Sequence, residues 1–497
     1  MVKTRTTLAL ASLAVDGSLP APLYRQLYDG LRRAILAGQL RPGVRLPSTR
    51  ALAGELNLSR NTVMSAYLQL FAEGYLEGKV GAGTYVARSL PDEMLQAQAA
   101  APPDARPRKT ESRLSERGRH LTSIPINLSR GRGGPRAFRP GTPALDAFPF
   151  DLWRQLLARC WQYPPQELLG YGAAAGYPPL REAIAAYLGV ARAVRCEPEQ
   201  VIVVAGSQQG LDLAARLLLD PGDAAWLENP GYPGARAALL AAGARLVSVP
   251  VDNEGLDVAA GMARCPDARF AYVSPSHQFP LGVTMSLKRR LALLEWANRA
   301  GAWVLEDDYD SEYRYVGRPL AALQGLDTAH RVIYLGTFSK VLFPALRLGY
   351  LIVLPDLVDA FTAARTLADR HSPSMDQAVL AEFLAQGHFA RHLRRMRVLY
   401  AERQAALVQA AQKELSGLLE VRPAESGMHL IGWLPEGRDD KLASQRAKRC
   451  DVEAPPLSSY SSEPLERGGL VLGYAGVNAS EIAAGARRLA KALRALI

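Results

Sequence analysis

Val332-Ile333-Tyr334-Leu335-Gly336-Thr337-Phe338-Ser339-Lys340 joins a short apolar run to a small-residue turn and a lysine. A run this short and this apolar fits a strand buried on both faces. Similar runs recur along the chain: Val201–Val204, Ala224–Leu227, Arg245–Val249, Phe270–Val273, Trp303–Leu305 and Leu348–Val353. They alternate with helical stretches, which predicts a mostly parallel α/β sheet covered on both faces. Ligands of such sheets bind beyond the carboxyl ends of the strands. The polar residues of interest fall at those ends.

Lys340 follows the 332–335 strand directly, and an amine there can form a Schiff base with a carbonyl. Asp307 closes the 303–305 strand within Glu306-Asp307-Asp308-Tyr309. Gly206-Ser207-Gln208 follows the 201–204 strand and opens a helix, where free N–H groups and the helix dipole favour a phosphate. Tyr232 follows Asn229-Pro230-Gly231, and Thr337 and Arg347 flank the lysine. Each feature has a plainer reading. A mid-chain lysine is usually solvated. The Asp307, Asp308 and Asp310 cluster also fits a metal site or an exposed turn, and Gly206-Ser207-Gln208 a simple helix cap. The order along the chain is more informative: anion loop, aromatic, acid, lysine, trailing arginine. It meets the needs of pyridoxal phosphate. Lys340 supplies the amine, Asp307 faces the pyridine nitrogen, and Tyr309 donates to the ring oxygen. Ser207, Gln208, Thr337 and Arg347 cradle the phosphate, and Tyr232 stacks on the ring.

The N-terminal end has a different character. Leu23, Leu27, Leu31 and Ile35 recur every four residues and make one apolar helical face, ended by Gly38 and Pro42-Gly43. Ser48 is placed to cap a second helix through Leu56, and Ser59 a third running to about Gly74 with Val63, Ala66 and Leu70 inward. The outward positions at its start are Arg60, Asn61 and Thr62. Arginine and asparagine pair with guanine and adenine edges in a major groove. Tyr75 to Val86 reads as a hairpin with a Gly-rich tip, including Gly81 and Gly83. A protein-interaction module of three helices and a hairpin is the alternative.

At 497 residues the chain exceeds what one core normally serves. Its net charge is +11, and residues 1–87 hold 10 Lys/Arg against 5 Asp/Glu while residues 124–497 hold 42 against 38. That concentration suits a phosphate-contacting module. Residues 88–123 lack sustained periodicity and are rich in Ala and Pro, which predicts a linker. The expected division is therefore 1–87, a linker 88–123, and 124–497. Cys160, Cys196, Cys265 and Cys450 are far apart, so zinc-type pairs are not expected. No apolar run reaches membrane-helix length, and the N-terminus lacks a signal-peptide pattern. The expectation is a cytoplasmic chain with no metal.

Leu46-Pro47-Ser48-Thr49-Arg50, Leu58-Ser59-Arg60-Asn61-Thr62-Val63 and Gly81-Ala82-Gly83-Thr84-Tyr85-Val86 resemble the GntR family of bacterial winged-helix regulators. The resemblance implies operator DNA contacts at Arg50, Arg60 and the wing glycines. Residues 125–497 resemble the aspartate aminotransferase fold, type I of the pyridoxal-phosphate enzymes. The closer resemblance, over nearly the whole chain, is to the MocR group, which joins both parts. Phe138 to Pro143, Gly176 to Arg181, Gly206 to Asp212, His277 to Pro280 and Glu306 to Tyr313 carry it. It implies a homodimer in which each winged helix lies near the partner's large domain and Tyr171 reaches the phosphate of a neighbouring subunit. It implies a multidomain regulator that senses pyridoxal phosphate or an amino compound reacting with it, rather than an enzyme. An active aminotransferase carrying an accessory DNA-binding domain is the alternative.

Two departures from the aminotransferase pattern stand out. Phe279-Pro280-Leu281-Gly282 has no asparagine for the ring oxygen, which leaves Gln278 or His277 as substitutes. Leu470-Val471-Leu472 has no arginine for a substrate carboxylate, and an unpaired carboxylate in a cleft is costly. The basic run His392 to Arg397 reads as a solvated helix face, with a DNA-contact role as the alternative.

Overall fold

The computed structural model describes residues 15–17, 19–79, 83–90, 114–124, 136–317 and 320–495. The chain divides into two compact units, Met1–Arg113 and Leu114–Ile497.

In the first unit, helices Leu23–Leu36, Thr49–Glu55 and Arg60–Ala72 precede an antiparallel hairpin of β1 (Leu76–Lys79) and β2 (Gly83–Val86). Leu27, Leu31 and Ile35 are buried as the four-residue spacing predicts, but Leu23 at the helix start is exposed beyond the core. Ser48 Oγ accepts from Ala51 N at 3.2 Å, and Ser59 Oγ accepts from Thr62 N at 3.1 Å, so both expected caps form. Val63, Ala66 and Leu70 are fully buried against the first helix. Residues 43–46 add a third edge to the hairpin: Leu46 N donates to Thr84 O and Val86 N to Val44 O. The three helices and the hairpin so braced make a winged helix.

The second unit holds an eight-stranded sheet. Its strands are β3 (Val201–Val204), β4 (Ala224–Asn229), β5 (Arg245–Asp252), β6 (Gly255–Leu256), β7 (Phe270–Val273), β8 (Trp303–Asp308), β9 (Val332–Thr337) and β10 (Gly349–Ile352). They lie in the order β3-β10-β9-β8-β7-β4-β5-β6. The β5-β4-β7-β8-β9 pairs are parallel, whereas β10 runs antiparallel to both β9 and β3. Every residue of β3, β7, β9 and β10 is buried, as expected of strands covered on two faces. A smaller antiparallel sheet follows, from β11 (Glu420–Val421), β12 (His429–Trp433) and β13 (Gly469–Gly473).

One expectation needs correction. The end of the stretch read as linker is a helix, Glu116–Ser123, capped by Ser115 Oγ and joined to the second unit by a 2.9 Å bond between His120 Nε2 and Leu240 O. The cap and that docking bond give order to a sequence with no apolar face of its own. Residues 91–113 of the expected linker lie outside the described residues.

Candidate functional site

The carboxyl ends of β3, β8 and β9 bring the site together. Side chains alternate along a strand, so Asp307 on β8 faces away from Glu306 and Asp308. Asp308 takes the far face, where Arg192 Nε donates to its Oδ2 at 2.8 Å and the Tyr334 hydroxyl at 2.7 Å. Glu306 accepts from Leu323 N and Gln324 N. Asp307 takes the site face, and Tyr272 OH donates to its Oδ2 at 2.7 Å. The acid cluster is thus buried, and its members serve different partners. It is not an exposed turn.

Asp307 Oδ1 is buried and has no hydrogen-bond partner among the described residues. Burial raises its carboxyl to about 7, against the Tyr272 hydrogen bond and with help from Asp308. A buried acceptor left open in this way matches the protonated pyridine nitrogen of a bound ring. Lys340, half-buried just past β9, donates from Nζ to Gly141 O at 2.9 Å. Burial lowers its amine below the usual lysine value, while Asp310 and Asp307 pull it back up. A less basic amine spends more time unprotonated and nucleophilic.

The anion cradle is equally direct. Gly206 has φ +93° and ends the loop from β3 to the helix Ser207–Leu218. A Cβ there would lie 3.0 Å from Arg347 Nη1, so only glycine lets the guanidinium lie against the helix start. Arg347 Nη2 donates to Ala205 O at 2.5 Å. Ser207 and Gln208 begin the helix, and buried Gln208 Oε1 has no partner among the described residues. Thr337 ends β9, and its Oγ1 accepts from Ser339 N at 3.2 Å. These residues fit a phosphate.

Tyr232 meets Phe279 edge-on at 5.9 Å between ring centroids. Phe279 fills the place of the missing asparagine and also packs on Tyr309, His429 and Tyr460. Gln278 is not available to replace that asparagine: its Nε2 donates to Pro230 O at 2.9 Å and to Phe279 O at 2.8 Å, and its Oε1 accepts from Leu281 N. His277 instead reaches Tyr309, with Nδ1 2.9 Å from its hydroxyl. Tyr171 is 83% exposed and stacks under Arg370 within its own chain. Leu470, Val471 and Leu472 are all fully buried aliphatics of β13.

Sequence reasoning passed over Tyr272, His429 and the Gly141 carbonyl. A histidine in the apolar strand β12 was a usable signal. His429 Nε2 bonds to Pro280 O at 2.8 Å, and burial lowers its imidazole to about 3, so it is neutral. His277, Asp310 and His429 lie within 4.8 Å of one another. His277 Nδ1 and His429 Nε2 are engaged with Asp310, Tyr309 and Pro280, so these contacts already account for the cluster. In the basic run, His392 is buried and bonds to Val341 O, while Arg394 and Arg395 are exposed.

On the first unit, Arg50, Arg60 and Asn61 are exposed. Thr62 is not a free outward residue: it is half-buried, and its hydroxyl shares a 2.8 Å bond with Ser59 Oγ. Gly83 has φ +111°, and a Cβ there would meet Arg45 Nε at 2.9 Å. Arg45 therefore lies along the wing beside Gly83, a position that sequence reading missed. Gly81 lies outside the described residues.

Family models match both halves. Residues 23–86 match the bacterial regulatory proteins of the gntR family, and residues 144–489 match aminotransferase class I and II. The chain is 43% identical over 486 residues to the probable rhizopine catabolism regulatory protein MocR of Rhizobium meliloti, covering 97% of this chain and 96% of that protein. This chain is a MocR-type member of the gntR family. Other MocR-type relatives include the pyridoxine biosynthesis transcriptional regulator PdxR of Corynebacterium glutamicum, 33% identical over 94% of this chain and 95% of that one. The aminotransferase side is also represented. The α-aminoadipate aminotransferase LysN of Thermus thermophilus, solved with N-(5'-phosphopyridoxyl)-L-leucine, superposes with a TM-score of 0.70 at 32% identity, covering 76% of this chain and 97% of that one. The MocR-type chain is a transcriptional regulator with a pyridoxal-phosphate-binding, type I aminotransferase fold.

Proposed function

We propose that this regulator binds operator DNA through residues 1–87 and that pyridoxal phosphate held at Lys340 sets its DNA-binding state. The observation that carries this reading is the buried, half-satisfied Asp307 beside Lys340 and the Gly206–Arg347 cradle. In this reading Lys340 anchors the cofactor, Asp307 holds the pyridine nitrogen protonated and Tyr309 donates to the ring oxygen. Ser207, Gln208, Thr337 and Arg347 take the phosphate, and Tyr232 stacks on the ring. Tyr171, exposed in one chain, serves the site of a second copy in a homodimer. Arg50, Arg60 and Asn61 contact the duplex, with the wing at Gly81 and Gly83 alongside. The connecting segment ends before the helix Glu116–Ser123, and the protein works in the cytoplasm.

The site is used for sensing rather than turnover. The aliphatic stretch Leu470–Leu472 offers no cation to a substrate carboxylate. A ligand shifts a conformational equilibrium only by its differential affinity for the two states. The test is titration of cofactor-stripped protein on its own upstream DNA, with and without pyridoxal phosphate. A change in affinity on adding the cofactor supports the reading. Unchanged affinity followed by a shift on adding one amino compound would move the signal to an amine. Borohydride trapping should label Lys340, and Lys340→Ala should abolish the label; a label on another lysine would refute the site assignment.

A further inference from the structure

Tyr309 must donate its proton to a ring oxygen, yet that proton has a competing destination. His277 Nδ1 lies 2.9 Å from the Tyr309 hydroxyl and 3.1 and 3.0 Å from the two Asp310 oxygens. The His277 and Asp310 side chains are each 1% exposed, so water does not mediate between them. A ring nitrogen carries either one proton or one lone pair, and an ionised carboxylate only accepts. Burial raises the Asp310 carboxyl, while His277 and Lys340 hold it down; in its ionised form Asp310 keeps the proton on Nδ1. An Nδ1 that carries a proton cannot accept from Tyr309. The phenol oxygen then accepts from His277, and its own proton is free to donate on the opposite side. With a lone pair on Nδ1, Tyr309 would donate into His277 instead.

Two further observations agree with this tautomer. His277 Nε2 is buried with no partner among the described residues. An orphaned acceptor there is less costly than an orphaned N–H. The ring is also held in place: a Cβ on Gly427 would come within 2.0 Å of Cε1, and one on Gly282 within 3.1 Å of Nε2. Other charged groups acting on Tyr309 are Asp307, Glu228 and Asp308, with Lys340 close to Asp307 and Asp310. His429, the imidazole packed at 5.2 Å from His277, is neutral.

We infer that Asp310 and His277 are positioning residues that keep the Tyr309 proton available to the ring oxygen of pyridoxal phosphate. This rests on the reading that the cofactor is held at Lys340. A donor to the ring oxygen stabilises its negative charge once the lysine–cofactor linkage loses its proton. Losing the donor therefore moves that deprotonation to higher pH.

The experiment follows the visible absorption of full-length protein loaded with pyridoxal phosphate as a function of pH. His277→Phe should raise the midpoint by about 0.5–1 pH unit, the equivalent of one hydrogen bond. Asp310→Asn also removes a charge that holds the lysine end basic, so its shift in wild type should lie above its shift in a Tyr309→Phe background, where only the charge is lost. His277→Asn, which keeps an N–H near the place of Nδ1, should return the midpoint to the wild-type value. Tyr309→Phe should raise it at least as far, and adding His277→Phe to Tyr309→Phe should shift it no further. An unmoved midpoint in His277→Phe, an Asp310→Asn shift that is the same in wild type and in Tyr309→Phe, or a fully additive double variant would overturn the inference. The comparison of Asp310→Asn in wild type and in Tyr309→Phe carries the test alone if His277→Phe fails to fold. Wild-type protein with no lysine-bound band would instead overturn the cofactor reading beneath it.

Discussion

Replacing Asp307 by Asn separates two demands that the carboxylate meets at once. In the cofactor-free protein the group is buried with one oxygen open, and its pKa stands at about 7 against an ordinary 3.8. At 1.36 kcal/mol per pH unit, holding it ionised above pH 7 costs roughly 4 kcal/mol. An asparagine at this place carries no charge, though its unpaired amide costs about 1–3 kcal/mol. The variant without cofactor should therefore be about 1–3 kcal/mol more stable than wild type at pH 8. The sign with pH follows from proton counts. Between 3.8 and about 7 the native state keeps a proton that the unfolded chain has lost, so this group's contribution to wild-type stability falls as pH rises through that window. Asp307→Asn should flatten that part of the slope. Cofactor affinity should change the opposite way, because the variant lacks the charge that pairs with the pyridine nitrogen. Urea unfolding of stripped protein at pH 5 and pH 8, beside cofactor titration, measures both. A variant that is less stable than wild type at pH 8, or one that binds cofactor equally well, refutes the reasoning.

Arg347→Ala should weaken pyridoxal phosphate binding by roughly 10- to 100-fold, the range of a charge-assisted hydrogen bond, and leave pyridoxal binding little changed; calorimetric titration of both ligands checks this. Arg192→Met leaves Asp308 buried without its partner, in a pair 3% and 2% exposed, and should cost about 3–5 kcal/mol in urea unfolding. Arg60→Ala should reduce operator affinity by roughly 1–3 kcal/mol without altering the unfolding of the first unit. Ser59→Ala, at the cap of the same helix, should do the reverse and destabilise that unit by about 1 kcal/mol.

The central strands were legible because they are buried on both faces and so read as unbroken apolar runs; β3 and β9 are clear cases. The helix caps were legible because Ser48 and Ser59 act locally. Lys340, Asp307 and the Gly206 loop could be ordered along the chain because strand ends of one sheet converge. What escaped depended on contacts distant in sequence. Tyr272 looks like an ordinary strand aromatic until β7 lies beside β8. His429 belongs to the second sheet and reaches the site through Pro280, Phe279 and His277. The engagement of Gln278 with Pro230, and of Thr62 with Ser59, could not be read from residue type, since each side chain had an equally plausible free orientation. The helix Glu116–Ser123 has no apolar stripe, and its order comes from a cap and a docking bond.

The place of β10 between β3 and β9 has a consequence for synthesis. Ala205, beside the first half of the phosphate cradle, receives its bond from Arg347, 142 residues later. A chain emerging from the ribosome completes the winged helix early, then the Gly206 loop, and only much later the lysine and the arginine. On the proposed reading, the cradle stays incomplete until Arg347, just before β10, has been made. On the same reading, a message broken before that point would yield a winged helix without its cofactor site, so translation through β10 is a condition of regulation.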